Sequence, residues 1–293
     1  MAFIPNVKLN NGVMMPELGL GVAGLGNGET FYKAIDSALD IGYRMFDTAP
    51  FYDNEAETGD ALRNCGIARE ELFITTKLPN ACHAYDDTVK AIDKALVNMG
   101  FDYIDLFLIH FPCPGIGKYH EAWAAMEKMQ EEGKVRCIGV SNFQEEHIEK
   151  ILSTGHVVPQ VNEIECNPYL TVRPLCNYCT DKGIRLINWF PLGGPNEPLV
   201  PYPEENFKIL VEDPVLVKIG EKYGKTAAQV SLRWATQNNI TPIPKSSNPD
   251  RLRLNADIFD FELTKEELEE IDALNYDRRF GPDPKTFNDP TMG

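Results

Sequence analysis

The chain has 293 residues, of which 28 are basic and 44 acidic, for a net charge of −16. That acidic surplus argues against nucleic acid or an anionic membrane surface as a partner, because either needs a basic face. No run of about 18 apolar residues occurs, which excludes a spanning helix. The opening MAFIPNVKLNNG lacks the charged start and apolar stretch of a signal peptide, so a cytoplasmic location is expected. Hydrophobic residues are 43% of the chain, and a chain of about 300 residues buries roughly 75% of its unfolded surface. Length alone suggests about two domains, but α/β barrels of this size are single domains, and one domain over 1–293 is expected.

Residues 6–16, NVKLNNGVMMP, read as two short strands around an Asn-Gly turn, a hairpin that could close the bottom of a barrel. From there one unit repeats: an apolar strand, a turn, an amphipathic helix. Strands are expected at 17–22, 43–48, 72–78, 103–110, 136–142, 160–166, 185–190 and 241–246. Most are continuous apolar runs, as parallel strands covered on both faces should be. Helices are expected at 30–41, 88–99, 119–132, 144–154 and 226–237. Ala34, Ala38 and Ile41, or Val89, Ile92 and Leu96, carry the three-to-four spacing of a buried stripe. Gly42, Gly100, Gly133 and Gly183 stand where helices should end. A Pro-rich acidic insertion at 195–214 and a tail at 276–293 fall outside the repeat and are placed at the surface.

Eight such units fit a closed (β/α)8 TIM barrel in the α/β class. A doubly wound sheet uses the same units, but the stretch nearest to its GxGxxG signal, GLGVAGLGNG, is only glycine-rich. The seven cysteines are odd in number and scattered, so no disulfide framework is expected. Cys176 and Cys179 form a CxxC without a second CxxC or nearby His, and read as buried thiols on a helix; no metal site is expected.

A barrel places reactive groups where its strands finish. Those positions hold Asp47, Lys77 and His110, with Tyr52 in the loop after Asp47. Ser141 and Asn142 end the next strand, and Asn162 and Glu163 lie in the one after. Each alone has an ordinary reading: a helix cap, a surface lysine, a satisfied core histidine. Together they are costly unless they meet one another. A Lys–Asp pair beside a Tyr makes a proton donor, because an ammonium stabilises the phenolate and lowers a value that is about 10 in free tyrosine. With Tyr52 as general acid and His110 bonded to the substrate oxygen, carbonyl reduction is the fitting reaction. Its hydride must come from a nicotinamide or flavin, since no side chain supplies one.

These residues resemble the aldo-keto reductase family. GYRMFDTAPFYDNEAETGDAL (42–62) is similar to its first signature and holds Asp47 and Tyr52, FITTKLP supplies Lys77, and YIDLFLIHFP supplies His110. IGVSNF, QVNEIECNPYL, NWFPLGG and IPKSSNPDRL look like the family's cofactor segments in their usual order. The resemblance implies NADP(H), with NAD(H) as an alternative, and the tetrad Asp47, Tyr52, Lys77 and His110. It implies Ser141, Asn142 and position 163 at the nicotinamide carboxamide, with Trp189, in place of the usual Tyr, stacked on the ring. Leu192 belongs to the same cofactor set. Lys245, Ser246 and Arg251 are implied at the 2′-phosphate, and Asn255 at the adenine, where Leu254 replaces a frequent Glu. Phe51 and Phe111 remain as apolar walls of a substrate site opened by Ala23 and Pro79. The partner implied is a small carbonyl or alcohol, and the assembly a monomer or loose dimer.

Glu163 departs from the family's Gln. A carboxylate accepts from a carboxamide but cannot donate to it, and its charge would favour the oxidised nicotinamide; a protonated or solvent-screened Glu would have no such effect. Two other readings stay open: a catalytically silent nucleotide-binding homologue, and a Schiff-base aldolase acting through Lys77.

Overall fold

The computed structural model describes residues 2–194 and 208–291. An antiparallel hairpin, β1 (Asn6–Lys8) and β2 (Met14–Pro16), comes first. Eight parallel strands follow: β3 (Leu20–Gly21), β4 (Met45–Asp47), β5 (Phe73–Leu78), β6 (Ile104–Ile109), β7 (Val135–Ser141), β8 (Val161–Glu165), β9 (Arg185–Trp189) and β10 (Ile240–Pro242). They neighbour one another strictly in chain order from β3 to β10. The first and last meet, because Gly19 N–H donates to Pro242 O at 3.1 Å. Gly21 is required there: a Cβ on it would lie 2.8 Å from Ile243 O. The fold is the (β/α)8 barrel, each expected strand overlapping one observed, with β7 and β10 each starting one residue earlier than expected.

The helices are α1 (Glu29–Ile41), α2 (Glu55–Arg63), α3 (Tyr85–Met99), α4 (Tyr119–Glu131) and α5 (Glu145–Leu152), then α6 (Arg173–Asp181), α7 (Pro214–Tyr223), α8 (Ala227–Gln237), α9 (Pro249–Ala256) and α10 (Lys265–Asp272). Their ends are chemically marked. Thr226 and Gln229 form a reciprocal capping box at the start of α8, and α3 ends on left-handed Gly100, whose N–H donates to Leu96 O. Cys176 and Cys179 are buried on α6 as free thiols.

The hairpin turns at Gly12, with φ +90°, and drives Leu9 and Met15 into the bottom of the barrel. There they pack on inward-facing Met45, Phe73, Leu106 and Leu108. One end of the barrel is thereby filled with hydrocarbon, and polar chemistry is confined to the other.

The surface placement of 195–214 and 276–293 is corrected where the structure describes them; residues 195–207 lie outside the described part. Leu210 is buried and Asp213 caps α7. In the tail, Arg278 and Phe280 are buried, the guanidinium lying 4.1 Å from the Phe280 ring centroid. The cause is Glu165, at the end of β8, whose carboxylate accepts from Phe280 N–H at 2.5 Å and Gly281 N–H at 3.0 Å. Further on, the Phe287 ring meets Phe111 at 4.6 Å between centroids. The tail therefore crosses the open end of the barrel.

Candidate active site

Asp47 is the last residue of β4 and Lys77 the fifth of the six in β5, so the pairing of these strands brings both to the open end. Lys77 Nζ donates to Asp47 Oδ1 at 2.5 Å and to Thr48 O at 3.2 Å. A second carboxyl reaches the same amine, Glu163 Oε1 at 3.4 Å. All three side chains are buried. Tyr52 sits in a short 3-10 turn, Pro50–Tyr52. That loop is held by Asn54, whose buried carboxamide accepts from Thr48 Oγ1 and donates to Val22 O, both at 3.0 Å. Glu55 adds a bond from Thr76 Oγ1 at 2.7 Å. So fixed, the Tyr52 ring has Lys77 Nζ 5.1 Å from its centroid and the His110 ring 6.0 Å away, nearly perpendicular.

Above them opens a cavity of about 440 Å³, lined among others by Phe51, Tyr52, His110, Phe111, Glu163 and Trp189. Ser141 and Asn142 also face it, and they are tied into a network. Asn142 takes a left-handed φ of 63°; its Nδ2 donates to His110 O at 3.0 Å and Ser141 Oγ at 3.1 Å. Ser141 Oγ donates to Glu163 O at 3.0 Å. Trp189 Nε1 donates to Asn142 Oδ1 at 3.1 Å, which leaves that oxygen one lone pair.

Charges in this buried setting are strongly coupled. Burial opposes the Lys77 charge, but Asp47 and Glu163 outweigh it and hold the amine above its usual range. The phenol behaves contrary to expectation: burial pushes Tyr52 up, Lys77 pulls it down by less, and the net is a raised value. Glu163 is held well above the carboxylate range, first by burial and then by the Asp47 charge, against the pull of Lys77. That shift favours its protonated form over the charged one. Burial, and then Lys77, hold His110 well below its usual value, so its imidazole is neutral.

The remaining expected residues lie outside the cavity. Leu192 follows β9 and packs half-buried on the outer core. Lys245 and Ser246 follow β10 at the same open end, with Ser246 Oγ accepting from Asn248 N–H at 3.1 Å. Asn248 caps α9 by accepting from Asp250 and Arg251 N–H. Lys245 and Arg251 are exposed and make no salt bridge with any described residue. Asn255 is buried on α9 while Leu254 is exposed. Sequence reading passed over Asn54, Glu165, Phe190 and Pro282, the last two also lining the cavity. Glu165 carried a legible signal: two residues after Glu163, it shares the inward side of β8.

The chain belongs to the aldo/keto reductase family, whose model matches residues 17–276. It is similar to a glyoxal reductase of Bacillus subtilis (strain 168), 45% identical over 278 residues and covering 95% of each chain. A morphine 6-dehydrogenase of Pseudomonas putida is 42% identical, covering 96% of this chain and 95% of that one. Among solved structures, a Bombyx mori aldo-keto reductase in complex with NADP superposes with a TM-score of 0.86 at 36% identity, covering 96% of each chain.

Proposed function

We propose that this chain reduces aldehydes or ketones to alcohols, reversibly, with NADP(H) as its hydride carrier and Tyr52 as its proton donor. The observation that carries the reading is the buried stack of Asp47, Lys77 and Tyr52, with the amine 2.5 Å from the carboxylate and 5.1 Å from the ring centroid.

At neutral pH a raised Tyr52 keeps its proton, the state a reduction needs at its start. As that proton leaves, the Lys77 ammonium stabilises the phenolate left behind, and Asp47 keeps the ammonium charged and aimed. Neutral His110 retains an N–H to donate to the carbonyl oxygen. A protonated Lys77 is a poor amine nucleophile, which disfavours the aldolase reading.

The donor set fits a nicotinamide dinucleotide. The Trp189 ring forms one wall of the cavity, the carboxamide of Asn142 keeps an accepting lone pair beside it, and Glu163 Oε2 is buried and accepts no hydrogen bond from a described residue. Such a cofactor supplies the hydride. Trp189 would stack on its ring, Asn142 and Ser141 would hold its carboxamide, and Leu192 would line its path. Lys245, Ser246 and Arg251 would grip the 2′-phosphate, as two cations and a hydroxyl suit a dianion; that preference makes NADP(H) the primary cofactor and NAD(H) the weaker one. Asn255 would meet the adenine. Phe51 and Phe111 would flank small aldehydes, a class to which the substrate of the glyoxal reductase relative belongs.

The reading is tested by following loss of reduced nicotinamide absorbance with glyoxal and simple aldehydes. Turnover with a matching yield of alcohol is expected. Tight NADPH binding with no turnover of any carbonyl would favour the catalytically silent homologue instead.

A further inference from the structure

Glu163 is the one acidic group of the site that the proposed reaction leaves unused, and its surroundings give it a task. Its Oε1 shares the Lys77 amine with Asp47, at 3.4 Å against 2.5 Å. Asp47 holds the shorter bond and so takes the larger share of the amine's charge. Glu163 Oε2 is buried and accepts no hydrogen bond from a described residue, and the residue lines the same cavity as Trp189 and Tyr52. One cation thus faces two carboxyls, all three side chains buried. Full ionisation of both would leave a net negative charge there, a state that costs a great deal away from water.

We propose that Glu163 is a proton site linked to the redox state of the bound nicotinamide: it keeps its proton beside the neutral reduced ring and gives it up beside the cationic oxidised ring. The proposal rests on the reading that NADP(H) binds in this cavity. The bond that breaks is the Glu163 O–H, and the proton goes to solvent. The positive ring then replaces the lost proton as partner of the second carboxylate, and the pocket stays neutral in both states. A glutamine at this position could not do this, having no proton to release. The upward shift that burial and the Asp47 charge give Glu163 supports the starting point.

Every other titratable group facing Glu163 has its own state. Asp47 and Lys77 form the short pair, Tyr52 stands beyond the amine, and His110 is neutral. Glu165, the next inward group on β8, is engaged by Phe280 N–H, Gly281 N–H and Arg279. Of these, Tyr52 alone could mimic the release, since a cationic ring would also favour its phenolate.

The experiment measures NADP+ and NADPH dissociation constants from mildly acid to mildly alkaline buffer, with proton release read by an indicator dye in weak buffer. Wild type, Glu163→Gln and Tyr52→Phe are compared. The 2′-phosphate titrates alike in both cofactors and cancels in their ratio. In wild type, NADP+ binding is expected to release more protons than NADPH binding, the difference coming from Glu163. The NADP+ preference should rise by up to about tenfold per pH unit while Glu163 still holds its proton. Glu163→Gln should abolish the differential release and flatten the ratio, and Tyr52→Phe should leave both. A flat wild-type ratio, or a release that survives Glu163→Gln and vanishes in Tyr52→Phe, overturns the proposal. Should Glu163→Gln not fold, equal proton release by the two cofactors in wild type overturns it by itself. Failure of both cofactors to bind would instead defeat the underlying reading of the cavity.

Discussion

The indole N–H of Trp189 donates to Asn142 Oδ1 at 3.1 Å, tying the end of β9 to the residue after β7 beside the cavity. A phenylalanine at 189 would keep a ring for stacking but lose this bond. Trp189→Phe is expected to weaken NADPH binding by about two- to tenfold, the range of one hydrogen bond worth ~0.5–1.5 kcal/mol. Trp189→Ala should weaken it further. Calorimetric titration of the two variants against wild type checks the order.

Lys77 serves two carboxyls at once, and its removal leaves the Asp47 carboxylate buried without its cation. Lys77→Met is expected to cost about 3–5 kcal/mol of stability, as for other broken buried pairs, and to reduce turnover by about 100-fold or more. Pairing it with Asp47→Asn should restore part of the stability and none of the activity. Urea unfolding and steady-state rates on both variants separate the two effects.

His83 is buried, with neither ring nitrogen hydrogen-bonded to a described residue, and burial lowers it from 6.5 to about 4. A depressed histidine contributes stability that is whole above the unfolded value and is lost as pH falls through the folded one. Between pH 6.5 and about 4 this group alone is expected to remove roughly 3 kcal/mol. Chemical denaturation across that window should show the fall, and His83→Gln should remove this contribution to it.

Lys245 and Arg251 are exposed and make no salt bridge with any described residue, so both are available to an anion. Arg251→Gln is expected to raise the Kd for NADPH by about 10- to 100-fold, the worth of a charged hydrogen bond of ~1.5–3 kcal/mol. Its Kd for NADH should stay nearly unchanged. Equal losses for the two cofactors would remove Arg251 from the phosphate site.

Strands and their order were readable because most runs are largely apolar and are buried along their whole length, as β6 illustrates. Ends were less so. The start of α3 at Tyr85 precedes the expected 88 because its first turn holds Asp86 and Asp87, which suit a helix start but carry no apolar period. β3 is only Leu20–Gly21 because it is pinned between β4 and the Ile243 backbone. The burial of Phe280 depends on Glu165, 115 positions away, and nothing local announces that contact. Asp47, Tyr52, Lys77 and His110 were legible because barrel strand ends converge. The sign of the Tyr52 shift was not, since desolvation depends on packing that residue types alone do not reveal.

The central claim is that the Tyr52 hydroxyl delivers the proton. Tyr52→Phe removes that oxygen and leaves the ring, so NADPH should bind within about twofold of wild type, while single-turnover reduction of an aldehyde falls by about 100-fold or more. Reduction at the wild-type rate by a fully NADPH-loaded Tyr52→Phe enzyme would contradict the account.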